Sequence, residues 1–131
     1  MKKIIAFALL TLSFQEVYAA CKPADAKGTW ITYQAAFIVP SSLDQSHIGQ
    51  CKLVVDTKGN ISYASSSCEF ISLSDKIPTG GTFKVNSDCS AYINLDLGSF
   101  VGQVQLTTNK LAYSGRFQTE TVSGITNAVK Q

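Results

Sequence analysis

The chain has 131 residues, with 11 basic and 9 acidic side chains and a formal charge of +2. Such a balance, with the basic residues scattered, gives no electrostatic footprint for nucleic acid or an anionic membrane surface. The length suits a single domain.

Lys2 and Lys3 form a short basic start. An apolar stretch from Ile4 to Phe14 follows, broken only by Thr11 and Ser13, and then come Gln15, Glu16 and Val17-Tyr18-Ala19-Ala20. This is the three-part layout of a secretory signal peptide with small residues at the cut. Val17 and Ala19 fit the −3 and −1 positions, which places cleavage after Ala19, with Ala20 as the neighbouring alternative. Residues 1–19 are then the signal and 20–131 the mature domain. The apolar run is about half of the roughly 20 residues that a spanning helix needs, so the chain is not expected to span a membrane. Lipidation at Cys21 competes with simple cleavage, because small residues precede it. Against it, Tyr18 stands where a lipoprotein signal usually has an aliphatic residue, and acylation would leave an odd number of cysteines. A periplasmic or secreted location is expected.

Cys21, Cys51, Cys68 and Cys89 all survive cleavage, and an even count in a small exported domain reads as two disulfides. The spacings lack a C-x-x-C pair and His47 is the only histidine, so structural zinc, which favours close ligand pairs, is not expected.

Past the signal, helical periodicity is scarce, while alternation with period two and recurrent turn residues predict strands. Thr29 to Val39 is the first, with Ile31, Tyr33, Ala35, Phe37 and Val39 on one face; Pro40 ends it. A polar loop leads to Ile48–Asp56, where Cys51, Leu53 and Val55 alternate with polar neighbours. Asp56-Thr57-Lys58-Gly59-Asn60 is the clearest turn. Asn60 to Leu73 forms one strand, or two short ones broken at Ser65-Ser66-Ser67. Pro78, Gly80 and Gly81 predict a turn over Ser74–Gly81. Thr82–Val85 alternates again, and Asn86-Ser87-Asp88 turns. Ala91, Ile93, Leu95 and Leu97 share a face, with Asp96 inside that strand. Gly98-Ser99 turns into Phe100–Leu106, Thr107–Lys110 turns with Asn109 suited to a left-handed conformation, and Leu111–Phe117 follows. Val122 to Val129 reads equally as a closing strand or a short helix. The sum is an all-β fold: an antiparallel up-and-down (meander) β-barrel of about eight strands, which removes exposed edges, with a β-sandwich as the alternative. A hairpin turn centred near Ile77 brings Cys68 close to Cys89. That favours Cys68–Cys89 as one disulfide and leaves Cys21–Cys51 as the other.

Two local patterns resemble those of small exported bacterial β-barrel proteins of largely unassigned function. One is Asp56-x-x-Gly59-Asn60. The other is Gly81-Thr82-Phe83-Lys84-Val85-Asn86-Ser87-Asp88-Cys89, followed by Ser90-Ala91 where that group usually has Thr-Gly. Ser114-Gly115 also recurs near the end of that group. The resemblance covers about half of the mature chain and implies a barrel loosely similar to the calycin and allene-oxide-cyclase barrels. Gly28-Thr29-Trp30 resembles the Gly-x-Trp that opens the first lipocalin strand; the expectation here is that Trp30 plugs one end of the core.

No residue set carries catalysis. His47 is the sole histidine base available to a nucleophile, and it sits in the serine-rich stretch Ser41–Ser46, which reads as a solvated loop. Glu69 and Asp96 are the carboxylates placed in strands, and surface positions fit them better than a paired acid and base. Asn60-Ile61-Ser62 matches a glycosylation sequon, but the tight turn argues against its use. No glycine-rich loop precedes a helix, so no phosphate cradle or cofactor is expected. The resulting expectation is an exported non-enzymatic binding protein that contacts a small hydrophobic ligand or a protein partner through its barrel mouth and loops. The alternatives are an isomerase or cyclase of the allene-oxide-cyclase kind, an inhibitor of a host or envelope enzyme, and an assembly protein working by strand addition.

Overall fold

The computed structural model describes residues 20–38, 48–71 and 74–131. The expectations for the signal segment and for the Pro40–His47 loop fall outside these residues. Within them the alternating stretches become ten strand segments: β1 (Gly28–Ile38), β2 (Gly49–Val55), β3 (Asn60–Ile61), β4 (Ser67–Phe70), β5 (Ile77–Pro78), β6 (Gly81–Val85), β7 (Ser90–Leu95), β8 (Phe100–Leu106), β9 (Ala112–Gln118) and β10 (Ser123–Lys130). All pairings are antiparallel, in the order β1-β10-β9-β8-β7-β6-β3-β2-β4-β5. β1 closes the ring by pairing with both β10, from Trp30↔Lys130 to Ile38↔Ser123, and β2, from Gly28↔Val55 to Gln34↔Gly49. The result is a closed eight-strand barrel, and Val122–Val129 resolves as the closing strand.

Ten segments make eight strands because two strands are interrupted. β3 and β4 lie on the same edge of β2, at Val55↔Ile61 and Lys52↔Ser67. Between them the Ser66 hydroxyl accepts the Val54 N–H at 2.9 Å. A side chain thus fills the break in the ladder, which keeps buried backbone groups paired. β5 and β6 follow with the same offset, at Cys68↔Ile77 and Ile61↔Gly81. Pro78, Gly80 and Gly81 therefore mark an irregularity within one strand, and the chain reverses earlier, between Phe70 and Ile77.

That shift corrects the disulfide pairing. Cys68 lies opposite Ile77 and directly across from Cys51, with a Cα–Cα distance of 4.0 Å and both side chains buried inside the barrel. The bridges are Cys51–Cys68 and Cys21–Cys89, not Cys68–Cys89 and Cys21–Cys51. Cys21 reaches the Asn86–Ser90 turn because its own N–H donates to the Ser87 carbonyl at 3.1 Å.

Turn chemistry orders one end of the barrel. Asp56 Oδ1 accepts the N–H groups of Lys58 and Asn60 at 2.8 and 2.9 Å, and Gly59 takes the left-handed conformation, φ 81°. Cys89 occupies the corresponding position of the next hairpin at φ 66°, with Asn86 N–H donating to the Ser90 carbonyl at 2.9 Å as Asp56 N–H does to the Asn60 carbonyl at 3.0 Å. In the third hairpin the left-handed residue is Lys110 (φ 61°), not Asn109; the Asn109 side-chain Oδ1 instead accepts the Thr107 hydroxyl and the Leu111 N–H.

The chain seals this end with a single 3-10 turn, Pro23–Ala26. Ala26 is fully buried, and its carbonyl accepts Trp30 Nε1–H at 2.7 Å. Trp30 is itself fully buried, packed on Phe83 and Tyr113 with ring centroids 5.3 and 5.5 Å away. It plugs the core as the sequence suggested. Leu53, Ile93, Val55, Ala91, Val104 and Ala128 are buried in the same continuous core as this aromatic trio. On β1 the inward residues are Trp30, Thr32 and Gln34, so the more apolar face, Ile31, Tyr33 and Ala35, lies on the outer wall.

Candidate functional site

The opposite end of the barrel is built differently. β4 ends there and β5 begins, β7 turns into β8 over Asp96–Ser99, and β9 turns into β10 over Thr119–Val122. In the four-residue β7–β8 connection, Leu97-Gly98-Ser99-Phe100 is a tight turn with both central residues left-handed (φ 59° and 54°) and the Phe100 N–H donating to the Leu97 carbonyl at 3.2 Å. Between these turns lies a recess of about 310 Å³, near the lower end of the range of small-molecule pockets, about 300–1,000 Å³.

Its walls are apolar. Phe100 and Phe117 stack with centroids 4.9 Å apart and planes 16° from parallel, and Phe70, Ile77, Leu95 and Leu97 complete the lining. Gly102 lies beside Phe100 on the inner face of β8, where an added methyl group would meet the Phe100 ring at 3.3 Å. Gln34 forms the inner end at 6% exposure, and Thr119, Glu120 and Thr121 form part of the rim.

Gln34 belongs to a buried polar chain. The Thr32 hydroxyl donates to Gln34 Oε1 at 3.0 Å, and Gln34 Nε2 donates to Cys51 Sγ at 3.2 Å. Below it, the Tyr113 hydroxyl bonds with Thr126 and Thr32; burial pushes the phenol well above its ordinary value, outweighing both hydrogen bonds. Tyr113 is thus a neutral packing and hydrogen-bonding group. Four polar side chains can face into this barrel because they satisfy one another. Below them the interior is filled, so the recess ends at Gln34.

At the rim, Ser99 Oγ donates to Glu120 Oε1 at 2.8 Å, tying the β7–β8 turn to the β9–β10 turn. Glu120 is the only ionisable residue lining the recess among those described. Charge is distributed unevenly along the barrel axis. Among the described residues, the segments at the mouth carry Glu69, Asp75, Asp96 and Glu120 against Lys76, and the sealed end carries Lys22, Lys27, Lys58, Lys84, Lys110 and Lys130 against Asp25, Asp56 and Asp88; Lys52 and Arg116 lie between them within β2 and β9, Arg116 bonded to Gln103 Oε1.

The carboxylates considered from sequence do not form a pair. Glu69 on β4 binds Lys76 at 2.8 Å, and that hydrogen bond, with the lysine charge, lowers its pKa. Asp96 lies in the turn after β7, not inside the strand, and is exposed. Asn60 sits in the hydrogen-bonded Asp56–Asn60 turn, its amide donating to Asp56 Oδ2 at 2.8 Å. All four cysteines are consumed in disulfides. Sequence reasoning anticipated a barrel mouth but not its lining: Gln34 reads as solvent-facing because Ile31, Tyr33 and Ala35 form the more apolar face of β1, and only its period-two parity with Trp30 points inward. No helix among the described residues is long and apolar enough to cross a membrane. No protein-family model matches this chain, and no curated protein matches it in sequence.

Proposed function

We propose that this chain is an exported, non-enzymatic binding barrel that holds a small hydrophobic molecule in its mouth. The observation that carries the reading is the recess of about 310 Å³ walled by six apolar side chains and closed at its inner end by one buried amide. Apolar walls with one or two placed polar groups are the usual make-up of a small-molecule pocket. An isomerase or cyclase would need a deeper cavity with inward polar groups around the substrate; here the packing of Trp30, Phe83 and Tyr113 occupies that depth. Strand addition finds little support either, since β1 pairs on both edges and the two-residue β5 contains Pro78. A protein that inserts an apolar side chain into the same mouth is the second reading. It is favoured by Tyr33, Ile48 and Ile71, exposed at 54%, 40% and 64% on the adjoining outer wall.

Export by the signal at residues 1–19 accords with two formed disulfides, which persist in oxidising compartments. Use of the Cys21 sulfur in a bridge to Cys89 favours simple cleavage over lipidation, because an acylated cysteine has no thiol to pair. The motif resemblance to exported barrels of unassigned function is consistent with this reading.

The test is uptake of a hydrophobic dye such as N-phenyl-1-naphthylamine by the mature oxidised protein. The proposal expects enhanced dye fluorescence, displacement by short-chain apolar molecules, and loss of both in Leu97→Arg with the circular dichroism spectrum unchanged. Equal enhancement in wild type and Leu97→Arg, or none in either, rejects the mouth as the site.

A further inference from the structure

From the charge around the recess we infer the chemical class of its ligand: a cationic amphiphile, with an apolar tail in the recess and a positively charged head at the rim beside Glu120. This rests on the proposed mouth site and narrows its occupant. The tail has a place against Phe70, Leu95, Phe100 and Phe117. The head meets an acidic rim. Glu120 Oε1 accepts the Ser99 hydroxyl, and no hydrogen bond to Oε2 forms among the described residues. Asp75 and Asp96 add negative charge in the neighbouring turns, and Lys76, the lysine of this end, is already paired with Glu69 at 2.8 Å.

An anionic amphiphile such as a fatty acid faces the opposite situation. No arginine or lysine among the described residues lines the recess, so its carboxylate would meet Glu120 with no counter-ion. Gln34 does not take that role, because it lies at the tail end of the recess, where its Oε1 accepts the Thr32 hydroxyl and its Nε2 donates to Cys51 Sγ. A neutral head falls between the two. The apolar walls would bind the tail of any of the three alike, so discrimination resides at the rim.

The experiment compares three probes of equal chain length with the mature oxidised protein by isothermal titration calorimetry: octyltrimethylammonium, octyl glucoside and octanoate. The expected order is cation tighter than neutral tighter than anion, with the cation favoured over the neutral probe by about fivefold, the scale of an exposed charge pair. That preference shrinks toward unity at about 0.3 M salt and in Glu120→Gln, while octyl glucoside binding is unchanged by either. Octanoate binding as tightly as the cation, or a cation preference that survives Glu120→Gln, overturns the inference; if Leu97→Arg abolishes binding in that case, the mouth site itself stands. Binding of none of the three overturns both.

Discussion

At the scale of single residues, the structure assigns clear work to Trp30 and Asp25. Trp30 fills the sealed end and donates its indole N–H to Ala26, while Lys130 Nζ sits 4.8 Å from the ring centroid and donates to the Asp25 carbonyl at 2.7 Å. Trp30→Phe removes the indole donor, orphans a buried carbonyl and leaves a void, which should lower stability by about 2–3 kcal/mol in urea unfolding; a change under ~0.5 kcal/mol would mean the plug is not packed as described. Asp25 is about one-fifth exposed and binds Lys110 at 3.1 Å. Burial acts to raise its pKa, but the Lys22 N–H and the nearby lysines outweigh this and hold it below 3.8. A folded value below the unfolded one contributes stability above the unfolded pKa that is lost as pH falls through the folded one. Asp25→Asn should therefore destabilise the protein at pH 6 and cost progressively less as pH is lowered below about 4; a difference that stays constant with pH would remove Asp25 from the cap.

At the scale of elements, the disulfides divide the labour. Cys21–Cys89 closes 68 residues and ties the N-terminal segment across the sealed end, whereas Cys51–Cys68 closes 17 and bridges adjacent strands. In the chain-entropy model these loops are worth about 4.4 and about 3.1 kcal/mol respectively. The double variant Cys21→Ala/Cys89→Ala should accordingly lose more stability than Cys51→Ala/Cys68→Ala. Non-reducing peptide mapping should recover those two pairs. Recovery of Cys68 linked to Cys89 would contradict the register of β4 on β2. The difference between sequence and structure lies in the same place. Leu53, Ile93, Leu95, Val104 and Leu106 announce their strands and inner faces by alternation, and the Gly59 and Gly98 turns by residue type. Pro78-Thr79-Gly80-Gly81 carries all the marks of a hairpin turn, yet Thr79, buried with its N–H on the Ser66 carbonyl, holds it inside a strand. That contact pairs residues from two interrupted strands, and local composition does not encode it. β1 is similar. Its apolar parity faces outward because Thr32 and Gln34 find polar partners inside, on strands distant in sequence. The apolar outer face thus masked Gln34, the inner end of the candidate site, although it shares the inward parity of Trp30.

At the scale of the whole molecule, the two ends of the barrel differ in chemistry. One is sealed by the 3-10 turn, a disulfide, an aromatic plug and lysine contacts; the other keeps an apolar recess beneath acidic turns. An eight-stranded barrel has an interior that side chains fill or that holds one small ligand, and this chain divides the two outcomes between its ends. The most direct measurement is a backbone amide NMR titration of the mature oxidised protein with octyl glucoside, whose neutral head leaves the rim charge out of the comparison. Shifts are expected at Gln34, Phe70, Ile77, Leu95–Phe100 and Phe117–Val122, with the amides around Trp30, Phe83 and Tyr113 unmoved. Shifts centred on the sealed end or on the outer wall, with the mouth residues silent, would contradict it.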